Sequence, residues 1–84
     1  MSTEEKITTI VELLAQLSED TTLPRNIRRG ATLAKESLLK ADEAVDLRKA
    51  KAISILDELA NDSNIPIHGR TTIWDIIGRL EAIK

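Results

Sequence analysis

LAQLSEDTTLPRNIR, residues 14–28, is the stretch on which the fold turns, because the chain repeats its pattern as LDELANDSNIPIHGR at residues 56–70. Shifting the sequence by 42 residues, half of its 84, superposes Leu14 on Leu56, Leu17 on Leu59, Asp20 on Asp62, Pro24 on Pro66, Arg28 on Arg70 and Leu38 on Leu80. Leu13/Ile55, Leu23/Ile65 and Thr21/Ser63 are conservative matches. The shared pattern is Leu-x-x-Leu-x-x-Asp-[Thr/Ser]-x-[Leu/Ile]-Pro-x-x-x-Arg. It describes the end of a helix, a polar turn, and a second helix opened at Pro, which suits a first helical position and disfavours helix in the residue before it. Two such hairpins, related by an approximate two-fold axis, predict an all-α, compact four-helix bundle. Hairpin one covers about 2–39 and hairpin two about 43–84, within a single helical domain 1–84.

Working outward, Ser2 with Glu5 three residues later forms a capping-box signature. Ile7, Ile10, Val11, Leu14 and Leu17 then recur at helical spacing. Helix two carries Ile27, Ala31, Ala34 and Leu38 inward and runs to about Leu39; helix three presents Val45, Ala52, Ile53, Leu56 and Leu59. The spacing of Ile73, Ile76, Ile77, Leu80 and Ile83 predicts a fourth helix, with its start placed near Thr71 or Thr72 and Asp75 in its first turn.

The joint between helices two and three carries neither Gly nor Pro, and the stripe 27, 31, 34, 38, 41, 45 runs through it in phase. A continuous helix from Pro24 to Ala60 would be roughly 55 Å long at 1.5 Å per residue, and its apolar face would need a second chain. Against that stands a fainter echo at a shift of 20, where Ile27-Arg28-Arg29-Gly30 resembles Leu47-Arg48-Lys49-Ala50. It makes Ala44 the counterpart of Pro24 and places a break at Asp42.

Composition narrows the function classes. There is no Cys and one His, which excludes disulfides, thiolate metal sites and a zinc constellation. Charged residues make up 31% and nearly cancel, at net −2, with seven acids and six bases in each half, so no block is basic enough to predict nucleic-acid binding from charge alone. No apolar run reaches membrane-spanning length, and the start Met1-Ser2-Thr3-Glu4-Glu5 is unlike a signal peptide. A cytoplasmic protein without cofactor is the expectation.

The hairpin unit is similar to a HEAT-type helical repeat, but such arrays need three or more units, so two favour a closed bundle. Three segments carry a narrower resemblance: Pro24-Arg25-Asn26-Ile27-Arg28-Arg29, then Ile53-Ser54-Ile55-Leu56-Asp57-Glu58, and Pro66-x-His68-x-Arg70-Thr71-x-Ile73-Trp74. Together they resemble a small archaeal group, the uncharacterised protein family numbered 0147. The resemblance covers nearly the whole chain and implies a compact all-α fold with no assigned activity. Gly30 departs from the Ala that the resemblance leads one to expect, which implies a locally weaker helix two.

Three sets of residues are candidates for function. Arg25, Arg28 and Arg29 fall in the first turns of helix two, where the macrodipole disfavours cations, so compensating partners are expected. One reading ties each loop to the next helix through ion pairs, Arg28 with Asp20 or Asp62 and Arg70 with the other. The alternative makes Arg25, Arg28 and Arg29 an anion or nucleic-acid contact at a helix N-terminus. The lack of interleaved aromatics disfavours that reading.

His68 has Ser63, Thr71 and Thr72 near it in sequence, but hydroxyls beside helix starts are normally caps, so a structural role is expected over catalysis. Trp74, the only aromatic residue, is either the largest piece of the core or an interface anchor. With no nucleophile–base pair, metal set or phosphate loop in view, the expected role is a small non-catalytic interaction or structural module. Its partners would be an unknown protein or a second copy, forming a homodimer through the fourth helix around Trp74. An RNA- or anion-binding accessory protein is the alternative.

Overall fold

A computed structural model describes residues 1–84 as four helices without strands: α1 (Thr3–Ser18), α2 (Arg25–Leu38), α3 (Val45–Ala60) and α4 (Ile67–Glu81). Each helix packs against its neighbours in sequence, and α1 closes the ring against α4, while the backbones of the diagonal pairs stay apart. The result is an all-α four-helix bundle of 33 × 20 × 19 Å. Its axis is filled by one cluster to which every helix contributes, with Leu14, Ile27, Leu38, Leu56, Ile73 and Leu80 among its most deeply buried members. Each such side chain contributes roughly 1.5–3 kcal/mol by leaving water.

The starts of the helices show why the chain breaks where it does. Ser2 and Glu5 form the capping box: Glu5 N–H donates to Ser2 Oγ at 3.2 Å and Ser2 N–H to Glu5 Oε1 at 3.1 Å. The other three helices open without a side-chain cap, from Pro24 (φ −57°, ψ 153°), Ala44 (−61°, 147°) and Pro66 (−62°, 153°). Pro24 thus sits one residue ahead of the first helical position. Ala44 adopts the same backbone as the two prolines, and Glu43 N–H donates to the carbonyl of Lys40. A turn therefore separates α2 from α3, and the uninterrupted rod does not form.

One expectation is corrected. α4 begins at Ile67, so Thr71 and Thr72 lie inside the helix rather than at its cap, and Asp75 lies beyond the first turn, paired with Arg79 at 2.9 Å. Pro66 fixes φ for a helical entry ahead of those threonines. Gly30 faces α3. A Cβ there would come within 2.5 Å of Leu59 Cδ2, so the missing side chain lets the two helices approach.

Candidate functional site

The loops 19–24 and 61–66 lie together at one end of the bundle, and each is organised by its aspartate. Asp20 Oδ1 accepts from Thr22 N–H at 2.9 Å, and Asp62 Oδ1 accepts from Asn64 N–H at 2.8 Å, which closes an Asx turn in each loop. The second oxygen of each aspartate reaches across to the helix that follows the other loop. Asn26 Nδ2 donates to Asp62 Oδ2 at 2.8 Å, and His68 Nε2 lies 3.6 Å from Asp20 Oδ2. His68 Nε2 is also 2.9 Å from Thr22 Oγ1, whose hydroxyl donates to Asp20 Oδ1. The bonds from Thr22, with smaller help from His68, hold the Asp20 carboxyl below the usual carboxylate range. These contacts set a carboxylate against the basic, uncapped starts of α2 and α4, where the macrodipoles favour negative charge.

The arginines behave differently from expectation. Arg28 and Arg70 make no ion pair with Asp20 or Asp62: Arg28 Nε donates to the carbonyl of Leu23 at 3.2 Å, and Arg70 Nε to the carbonyl of Ala60 at 3.0 Å. Arg70 Nη2 adds a longer bond to the backbone oxygen of Asp62. Both are four residues past a helix cap, which levels the guanidinium with the orphan carbonyls of the preceding joint. Each joint is thus tied to the next helix, through backbone oxygens rather than carboxylates.

Arg48, at the same offset from Ala44, was not among the expected site residues. It is 6% exposed, donates to the carbonyl of Leu38 at 3.0 Å, and crosses the bundle to Glu4 Oε2 at 3.2 Å. Its only signal in the sequence is the match of Leu47-Arg48 to Ile27-Arg28. Arg25 and Arg29, one turn apart on α2, are exposed and have no ion pair.

Trp74 lies outside the core, 57% exposed, on the face of α4 opposite Ile73, Ile76 and Leu80. Ile67, two turns earlier on the same face, is 78% exposed. The hydroxyls near His68 are turned back onto their own helix: Thr71 donates to the carbonyls of Ile67 and His68, and Thr72 to that of His68. Neither is poised beside the imidazole as a nucleophile. No group of three or more His, Asp or Glu side chains gathers where a metal ion could be held. A cavity of about 210 Å³ between α1 and α4 is lined by Met1, Lys6, Thr9, Ile10, Arg79 and Ala82, and an open hollow of about 440 Å³ between α2 and α3 is lined by Leu33, Glu36, Ser37, Lys40, Lys51, Ser54 and Ile55. No helix is long and apolar enough to cross a membrane.

Comparison with known proteins places the chain among relatives. The sequence profile described as Uncharacterised protein family (UPF0147) matches residues 1–83. The UPF0147 protein of Methanocaldococcus jannaschii is 48% identical over 81 residues, 96% of this chain and 87% of that protein. That of Pyrococcus abyssi is 46% identical, over 96% of this chain and 95% of that protein. Among solved structures, a UPF0147 protein from Thermoplasma acidophilum superposes with a TM-score of 0.92 at 43% identity, covering 96% of this chain and 95% of that one. The protein of unknown function MMP1188 superposes with a TM-score of 0.95 at 44% identity, covering 99% and 94%. The chain belongs to the UPF0147 family, which has members in many archaea.

Proposed function

We propose that this UPF0147 chain is a small, non-catalytic protein-interaction module whose contact surface is the outer face of α4. The observation that carries the reading is Trp74: the only aromatic side chain stands in water on the far side of a helix whose inner face already fills the core. Exposing a tryptophan forgoes the large hydrophobic gain of burying it, and tryptophan is enriched where proteins meet. Leu33, Leu39 and Leu47 are also exposed, but they are spread over α2, the following turn and α3, with Glu36, Lys40 and Lys51 near them. Single exposed leucines are ordinary. The matched bonds of the two loops support reading the chain as two copies of one hairpin, and a cysteine-free composition is consistent with a place in the cytoplasm.

A photo-activatable side chain tests this reading whatever the identity of the partner. Placed at Thr71, beside Trp74, it is expected to give discrete cross-linked adducts in cells of the native host. The same group at Glu12, exposed on α1, is expected to give none. Equal adducts from both positions, or none from position 71, would contradict the reading.

Arg25 and Arg29 support a second, nucleic-acid reading, since both are unpaired at an uncapped helix start. That reading expects RNA binding which falls steeply with salt and is lost in Arg25→Ala with Arg29→Ala. Absence of binding at low salt removes it.

A further inference from the structure

Five residues of α4 follow one another in alternating steps of four and three: Ile67, Thr71, Trp74, Gly78 and Glu81. That alternation keeps a seam facing a partner helix. All five are exposed. Gly78 is the anomaly of the row. A Cβ built on it meets nothing within 4 Å, whereas at Gly30 and Gly69 one would press on Leu59 at 2.5 Å and Leu23 at 2.7 Å. Its φ is not positive either. Glycine inside a helix is entropically unfavourable, and the single chain offers no contact that requires it here.

Resting on the reading of α4 as the contact surface, we propose that its partner is a second copy of this chain. Two α4 helices pair antiparallel about a two-fold axis, and Trp74 of each copy lies over the bare backbone at Gly78 of the other. This register brings Glu81 of one copy beside Thr71 and Arg70 of the other. Glu81 has no ion pair within its own chain, and the Arg70 guanidinium meets backbone oxygens but no carboxylate. Each finds the opposite charge across the interface.

The register also sets the last turn of one α4 against the first turns of the other, whose leading N–H groups have no side-chain cap, so the helix dipoles attract. A parallel pair would place Glu81 beside Glu81 and leave the notch at Gly78 empty. Fifteen residues make a helix roughly 22 Å long. That face is smaller than a standard stable interface, so the dimer forms at high concentration and dissociates on dilution.

Sedimentation equilibrium and tryptophan emission, measured together over a dilution series, test the pairing. Trp74 is the only tryptophan, so its emission reports this surface alone. The expected result is a mass rising with concentration from 9.3 kDa toward twice that value, with emission moving to the blue in step. Gly78→Leu, which fills the notch, is expected to hold the chain single and its emission red. Its melting temperature when dilute should be no lower than that of the parent, which shows the fold intact. Glu81→Lys is expected to weaken the dimer several-fold. A single-chain mass at every concentration overturns the proposal, as does a dimer that neither substitution disturbs. If the chain stays single while the probe at position 71 still captures another protein, the α4 reading stands and the second copy is ruled out.

Discussion

Arg48 illustrates how single side chains organise this small core. Its guanidinium ties the last carbonyl of α2 to the first turn of α1 from inside the bundle, so its removal strands a buried carbonyl. Arg48→Ala should therefore cost about 2–3 kcal/mol in urea unfolding, as expected for lost hydrogen bonds to a charged group. Arg25→Ala and Arg29→Ala, at exposed positions without ion pairs, should change stability by less than about 0.5 kcal/mol. Asp20 gives a pH signature. Because the bonds from Thr22 lower its pKa in the folded chain, its contribution is complete above the ordinary carboxylate range and is lost as pH falls through the lowered value. Glu5, lowered by its bonds with Ser2, acts in the same direction. Asp20→Asn should make the acid limb of the stability curve shallower, with no change in the slope of the curve near neutrality.

At the scale of the helix, the two glycines of α4 separate packing from propensity. Gly78→Ala adds a methyl group to open space and should raise stability in dilute solution by about 1 kcal/mol, the usual helix-interior difference. Gly69→Ala should lower it by about 1–3 kcal/mol, because its Cβ would press on buried Leu23. Thermal unfolding of the two variants side by side checks both signs.

The helices themselves are legible in the sequence, because Leu14 with Leu17, Leu56 with Leu59, and Ile73, Ile76, Ile77 and Leu80 recur at helical spacing, and Leu23-Pro24 and Ile65-Pro66 mark entries. The start of α4 is misread by about a turn, since Thr71, Thr72 and Asp75 look like caps and a first-turn acid although Pro66 has already committed the backbone. Arg48 escapes because a lone cation in an apolar stripe reads as solvated. What occupies the Asp20 and Asp62 carboxylates is not readable at all: they meet His68 and Asn26, and those contacts exist only once the ring has closed.

Across the whole molecule, stability comes from a ring of four short helices around one apolar axis, without a disulfide. A chain this short buries a modest share of its surface, so its margin lies toward the low end of the roughly 5–15 kcal/mol of natural domains. Leu56→Ala, at a fully buried position, should cost about 2–5 kcal/mol and take most of that margin. Since every helix touches the shared core, unfolding should remain one cooperative transition, with the loss of helical signal and the uptake of calorimetric heat coinciding.

Association through α4 is then an addition to a fold that is complete in one chain. The most direct measurement is the thermal midpoint of the Trp74→Ala chain, followed by circular dichroism through a wide dilution series. The account predicts a sharp transition whose midpoint does not move with concentration. A midpoint that falls steadily on dilution, with helical signal lost from the dilute chain, would mean that the apolar faces need a neighbour to cover them.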